Sequence, residues 1–174
     1  MLYKKIKGIY QWLEVRKLDY LLVVLLVVMV MGWIQASPTF MDPDSFYHVK
    51  LTQMMGDGLV LDEFPWLQGT DLEHYFTDHH WLYHLILLPF ILLWPAFIGA
   101  KAVTVIFSAL LFLYLYWWMK RNQAKWPWLF IFVLLGIFPF MFRINLVKIP
   151  AIGILALLVC LDLAIHYRYK WLFL

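Results

Sequence analysis

Five stretches of nearly unbroken apolar residues, at about 20–36, 81–98, 102–119, 127–142 and 149–165, constrain this chain more than any other feature. A helix rising 1.5 Å per residue needs roughly 20 such residues to cross a hydrocarbon layer of about 30 Å, and most of these runs approach that length. Composition agrees: 64% of the residues are hydrophobic and 14% charged, against about half and a quarter in soluble domains. The expected fold class is therefore all-α integral membrane. The single cysteine, Cys160, lies in the last run, so no intrachain disulfide can form.

The number of crossings is decided by charge. If all five runs cross, eight Lys and Arg residues fall inside and six outside. If 81–98 stays at the outer face, the division becomes ten to four. The positive-inside rule prefers the second layout. So does the sequence of that run, which holds Pro89, meets Pro95 and follows His79 and His80; an apolar run this short suits an interfacial or re-entrant helix. The predicted order is a basic cytoplasmic segment (1–17), a retained signal anchor as first span (18–36), an external loop (37–80) and an outer-face helix (81–98). Three further spans follow at 99–119, 127–142 and 149–167. They are joined by a cytoplasmic loop (120–126) and an external one (143–148). Residues 168–174 form a cytoplasmic end or the start of a cut-off span. About four transmembrane helices, with Trp117, Trp118, Trp126 and Trp128 as an inner aromatic belt, place a multi-pass protein in the cell membrane with its amino terminus in the cytoplasm.

Chemistry concentrates in the loop 37–80, which holds eight of the eleven acids and four of the six histidines. At its start, Asp42 reads as an N-cap, Pro43 as the first helical residue and Asp44 as a complement to the dipole of a helix over 45–55. The same carboxylates could hold a hard divalent cation, with His48 four residues on from Asp44. At its end, Asp78, His79 and His80 precede His84. Two imidazoles four apart can share a metal, whereas the plainer reading has Asp78 capping the outer helix and the histidines at the headgroup level. His74 reads as a surface histidine. Arg143 and Lys148, against the charge trend, are either ordinary loop cations or the binding site for a lipid-linked phosphate. Asp162 reads as an interfacial partner of His166 and Arg168.

The order of a basic amino terminus, one span, Asp42-Pro43-Asp44-Ser45-Phe46-Tyr47-His48-Val49-Lys50 and an acidic loop with Phe64-Pro65-Trp66-Leu67-Gln68-Gly69-Thr70 resembles the start of the C-type (GT-C) membrane glycosyltransferases. Catalytic subunits of oligosaccharyltransferase are the nearest pattern. The resemblance implies that Asp44 is the essential catalytic acid at a metal and sugar-phosphate site, with Asp42 as the other acid. The spacing adds His48, His79, His80 and His84 as further candidate ligands of the divalent cation, Mn²⁺ or Mg²⁺. It also implies a polyprenyl-phosphate-linked sugar donor, an acceptor protein or glycan, and membrane lipid as partners, with no nucleic acid. The family's second acidic motif has no counterpart, since 142–148 contains no acid, and the chain matches only the amino-terminal portion of a family member. The alternative is a non-catalytic small membrane protein, or an inactive fragment, whose acidic, histidine-rich loop binds metal or a partner protein.

Overall fold

The computed structural model describes residues 17–58, 62–64 and 66–166. The basic segment before Lys17, Arg168 and the carboxyl-terminal run lie outside the described residues. Regular structure among the described residues is helical: α1 Leu18–Gln35, α2 Pro43–Gly56, α3 Trp81–Leu93, α4 Ala96–Arg121, α5 Pro127–Gly136, α6 Phe138–Ile144 and α7 Pro150–His166, with a 3-10 turn at Asp71–Glu73. By length and hydropathy α1 and α4 can each cross a membrane, and α5 with α6 makes a third candidate bent by 82°; α3 and α7 are shorter apolar helices. The chain divides into two compact units.

The first unit holds α1, α4 from Val105, α5, α6 and α7. One stripe of α1, Val23, Val27 and Met31, is fully buried against Leu111, Phe112 and Tyr116 of α4, with Ile131, Met141, Ile144 and Ala151 completing the core. The remaining faces of α1 carry Leu21, Leu25, Met29 and Trp33, all exposed. A helix in water needs a polar outer face, but a helix in lipid does not.

Two sets of polar contacts orient these helices. Asp19, fully buried, accepts from Lys120 Nζ at 2.6 Å and from the Tyr116 hydroxyl at 3.0 Å. Arg121 donates to Asp162 at 3.0 Å, and the His166 ring lies 2.9 Å from the same carboxylate. The start of α1 therefore meets the end of α4, and the end of α4 meets the end of α7. At the opposite end, the Gln35 amide donates to the Asn145 carbonyl at 2.6 Å and Ser108 donates to the Ile144 carbonyl at 3.4 Å. So α1 and α4 run antiparallel, the α5–α6 segment climbs back, and α7 returns. The expected Asp162–His166 pair is present, with Arg121 as a partner that sequence spacing did not suggest.

The run 127–142, expected as one span, is instead two helices broken at Ile137. Pro139 has no N–H to continue the ladder, and its ring would meet the Leu135 carbonyl in an unbroken helix. The expected loop 143–148 is also shorter, because Arg143 and Ile144 complete α6.

The second unit comprises Thr39–Thr104 and Leu146–Ile149. Asp42 caps α2 as its sequence suggests, accepting from the Ser45 N–H at 3.3 Å with Pro43 at the first helical position. The segment 81–98, expected as one outer-face helix, divides. Trp94 is extended (φ −131°, ψ 163°) ahead of Pro95, which stops α3, and α4 begins at Ala96 rather than 99. The turn back is tight enough that a Cβ on Gly99 would collide with the Phe90 carbonyl. In the loop, Phe64 stacks on Phe76 at 4.9 Å, and the Phe76 N–H donates to the Asp62 carbonyl at 2.8 Å.

Candidate functional site: an acid pair and a histidine chain

The inward face of α2 is unusually polar. Ser45, His48, Val49 and Thr52, spaced i, i+3, i+4 and i+7, are all buried, which forces partners for them from elsewhere in the unit. Ser45 Oγ makes a short bond to Asp42 and accepts from the Val147 N–H at 3.3 Å. Leu146 and Val147 are buried beside it. The four-residue segment thus delivers Lys148 to the start of α2, where its Nζ lies 2.5 Å from Asp42 Oδ2 and 2.7 Å from Asp44 Oδ2. Burial pushes the Asp42 carboxyl up, but the Lys148 and Ser45 hydrogen bonds outweigh it and hold the group below its ordinary range. Burial likewise pushes Lys148 down, and the two carboxylates more than reverse it. The three groups form a mutually stabilised charged cluster.

His48 does not join Asp44, although they stand one helical turn apart. The Asp44 side chain is 66% exposed and His48 is 4% exposed. Instead His48 Nδ1 lies 2.8 Å from His84 Nε2, and His84 Nδ1 lies 2.6 Å from Asp78 Oδ2. The other Asp78 oxygen accepts from the His80 N–H at 2.9 Å; His80 rather than Asp78 is the N-cap of α3, so this contact closes a turn just ahead of the helix and is not the expected cap. His80 packs its ring 5.1 Å from that of His48, and its Nδ1 is buried with no hydrogen-bond partner among the described residues. His79 is exposed, with Nδ1 3.2 Å from the Thr77 carbonyl; His74 is exposed, as expected. Burial, then the neighbouring His84 and His80, push the His48 imidazole down to about 4.

A cavity of about 290 Å³ lies over this cluster, lined by Asp44, Tyr47, His48, Phe64, His79 and His80 among others. It combines aromatic walls with a carboxylate and three imidazoles.

The residues expected to hold a divalent cation, Asp42, Asp44, His48, His79, His80 and His84, all belong to this unit. As arranged, they do not fit that ion. Both carboxylates face the Lys148 ammonium, and His84 commits one ring nitrogen to Asp78 and the other to His48. Among the described residues no three His, Cys, Asp or Glu side chains are placed to hold a metal. Of the two cations expected to meet phosphate, Lys148 is the partner of the acids, and Arg143 is exposed near the end of α6 in the first unit.

No protein-family model, curated protein or solved structure matches this chain. What the fold defines by itself is an all-helical protein with two, or counting the bent pair three, helices able to cross a membrane.

Proposed function

We propose that the chain is the amino-terminal module of a multi-pass membrane glycosyltransferase that takes its sugar from a polyprenyl-phosphate-linked donor. Four crossings are made by α1, α4, the bent α5–α6 pair and α7, with the amino terminus in the cytoplasm and the acid–histidine unit at the outer face. The antiparallel contacts at both ends of the first unit support this layout. The Asp19–Lys120 bond supports it in particular, because five crossings would put those residues on opposite sides of the bilayer. The observation that carries the function is the placement of Lys148 between Asp42 and Asp44, because it joins the loop after the first span to the loop before the last one. In this reading Lys148 meets the donor phosphate and offsets the charge that builds on it as the sugar–phosphate bond breaks. Asp44, exposed beside it, positions the acceptor.

Two experiments bear on this reading. Single cysteines in a Cys160→Ser background, needed because Cys160 is itself exposed, report topology with an impermeant thiol reagent. Position 143 is expected to label from outside and position 121 only after permeabilisation; the reverse pattern removes the four-crossing layout. For the donor site, Lys148→Gln is expected to weaken binding of polyprenyl phosphate to the chain in lipid nanodiscs by about 10-fold or more, the worth of one charged hydrogen bond. Arg143→Ala tests the second expected cation in the same assay. Unchanged affinity in Lys148→Gln ends the donor-site reading.

A further inference from the structure

The bond from His84 to His48 is not explained by capping, packing or phosphate binding, and its direction is set by the group at its far end. With Asp78 ionised, Oδ2 can only accept, so the proton of neutral His84 sits on Nδ1. His84 Nε2 is then a lone pair, and at 2.8 Å it must accept from His48 Nδ1–H. One nitrogen of His48 remains, Nε2, which carries a lone pair on a side chain that lines the cavity. The tautomer of a residue in the cavity wall is thus dictated by a carboxylate two hydrogen bonds away.

We propose that Asp78, His84 and His48 form a proton relay whose terminal atom, His48 Nε2, accepts the hydrogen of a sugar or alcohol hydroxyl bound in the cavity beside Asp44. His48 is the residue that touches the ligand; His84 and Asp78 are positioning residues. Resting on the reading above, the step is acceptor activation. The hydroxyl proton passes to His48 Nε2 while the His48 Nδ1 proton passes to His84 Nε2. The oxygen bonds to the sugar carbon, and the electron pair of the breaking carbon–oxygen bond leaves on the donor phosphate. The positive charge ends on His84, directly against the Asp78 carboxylate. This explains why a relay is needed. Burial makes His48 a poor home for a proton, and the chain moves the resulting charge to the place where a counter-ion is fixed.

The fixed contact of Asp78 Oδ1 with the His80 N–H makes the test sharp. In Asp78→Asn the amide oxygen keeps that bond, so the NH₂ faces His84 Nδ1 and donates to it. His84 must then carry its proton on Nε2 and donate to His48 Nδ1, leaving His48 protonated on Nε2. Imidazole ¹⁵N spectra of the full chain in nanodiscs, labelled at histidine and assigned through His48→Gln and His84→Gln, read both states. The wild type is expected to show Nδ1–H on both rings, and Asp78→Asn to show Nε2–H on both. Octyl glucoside, as a hydroxyl probe, is expected to shift the His48 Nε2 resonance of the wild type upfield, as that nitrogen accepts its O–H; in Asp78→Asn the same nitrogen carries the proton and can only donate to the hydroxyl oxygen, so the upfield shift is expected to be lost. A wild-type His48 protonated on Nε2, a doubly protonated wild-type His84, an unaltered pattern in Asp78→Asn, or no response to the glucoside each overturns the relay. None of these readouts depends on Lys148 or on donor binding, so the relay and the donor-site reading fail separately.

Discussion

Lys120→Met is expected to lower the unfolding free energy of the protein in detergent by about 3 kcal/mol, the low end of the range for stranding a buried charge. The reason is an asymmetry in the pair it breaks. The Asp19 side chain is completely buried and that of Lys120 is 16% exposed. Among the described residues Asp19 Oδ1 has no hydrogen-bond partner, so the carboxylate depends on what reaches Oδ2. Without the ammonium, the Tyr116 hydroxyl is the one described donor that remains. Asp19→Leu removes the acid instead, and a lysine at a helix end can extend its stem toward water, so that variant is expected to lose clearly less. The double variant Asp19→Leu, Lys120→Met is expected to recover most of the loss, as buried pairs replaced by apolar residues often do. Equal losses in the two single variants, measured by denaturant titration, contradict this account.

Acid is expected to weaken the protein through His48. Its imidazole, ordinarily near 6.5, sits at about 4 in the fold. Between those values the unfolded chain takes up a proton that the native state refuses, so the contribution is complete above about pH 6.5 and declines as pH falls toward 4. The full span corresponds to about 3 kcal/mol at 1.36 kcal/mol per unit. The groups facing His48 are His80, just ahead of α3, and Tyr83 and His84 of α3, with Lys148 and Asp44 further contributing opposed charges. A His48→Gln variant is expected to lose most of the slope between pH 6.5 and 4 while keeping whatever slope the carboxylates cause below it. A slope unchanged by that substitution assigns the acid sensitivity to another group.

Local features were the legible part. Apolar runs located α1 and α4, and Asp42-Pro43 marked the first turn of α2, because a cap and a fixed φ act within a few residues. The outcome was mixed where a proline met an apolar run. Pro95 stops α3 inside the apolar run 81–98, and Pro139 breaks the run 127–142 into two helices, whereas hydropathy runs on unbroken through both. What one sequence could not show were the partners. Lys148 meets Asp44 across 104 residues, Lys120 meets Asp19 across 101, and His84 meets His48 across 36. Nothing in the spacing of Asp44 and His48 reveals that one turns to solvent and the other inward; that depends on which face of α2 the rest of its unit covers. One signal does lie in the sequence: Lys148 follows the apolar Leu146 and Val147 in a stretch, 142–148, without an acid, and such a charge asks for a carboxylate from some other segment.

The wide separation of Lys148 from its carboxylates also orders events in time. A ribosome adding about 5–20 residues per second delivers Lys148 roughly 5–20 s after Asp44 emerges. Through that interval the acid pair stands without its cation. A nascent chain interrupted before residue 148 can form α2 and its cap, yet it carries two unneutralised carboxylates where the finished protein carries a closed ionic cluster. Maturation of the site is therefore a late event in biosynthesis, contingent on the chain having passed through α4, α5 and α6 first.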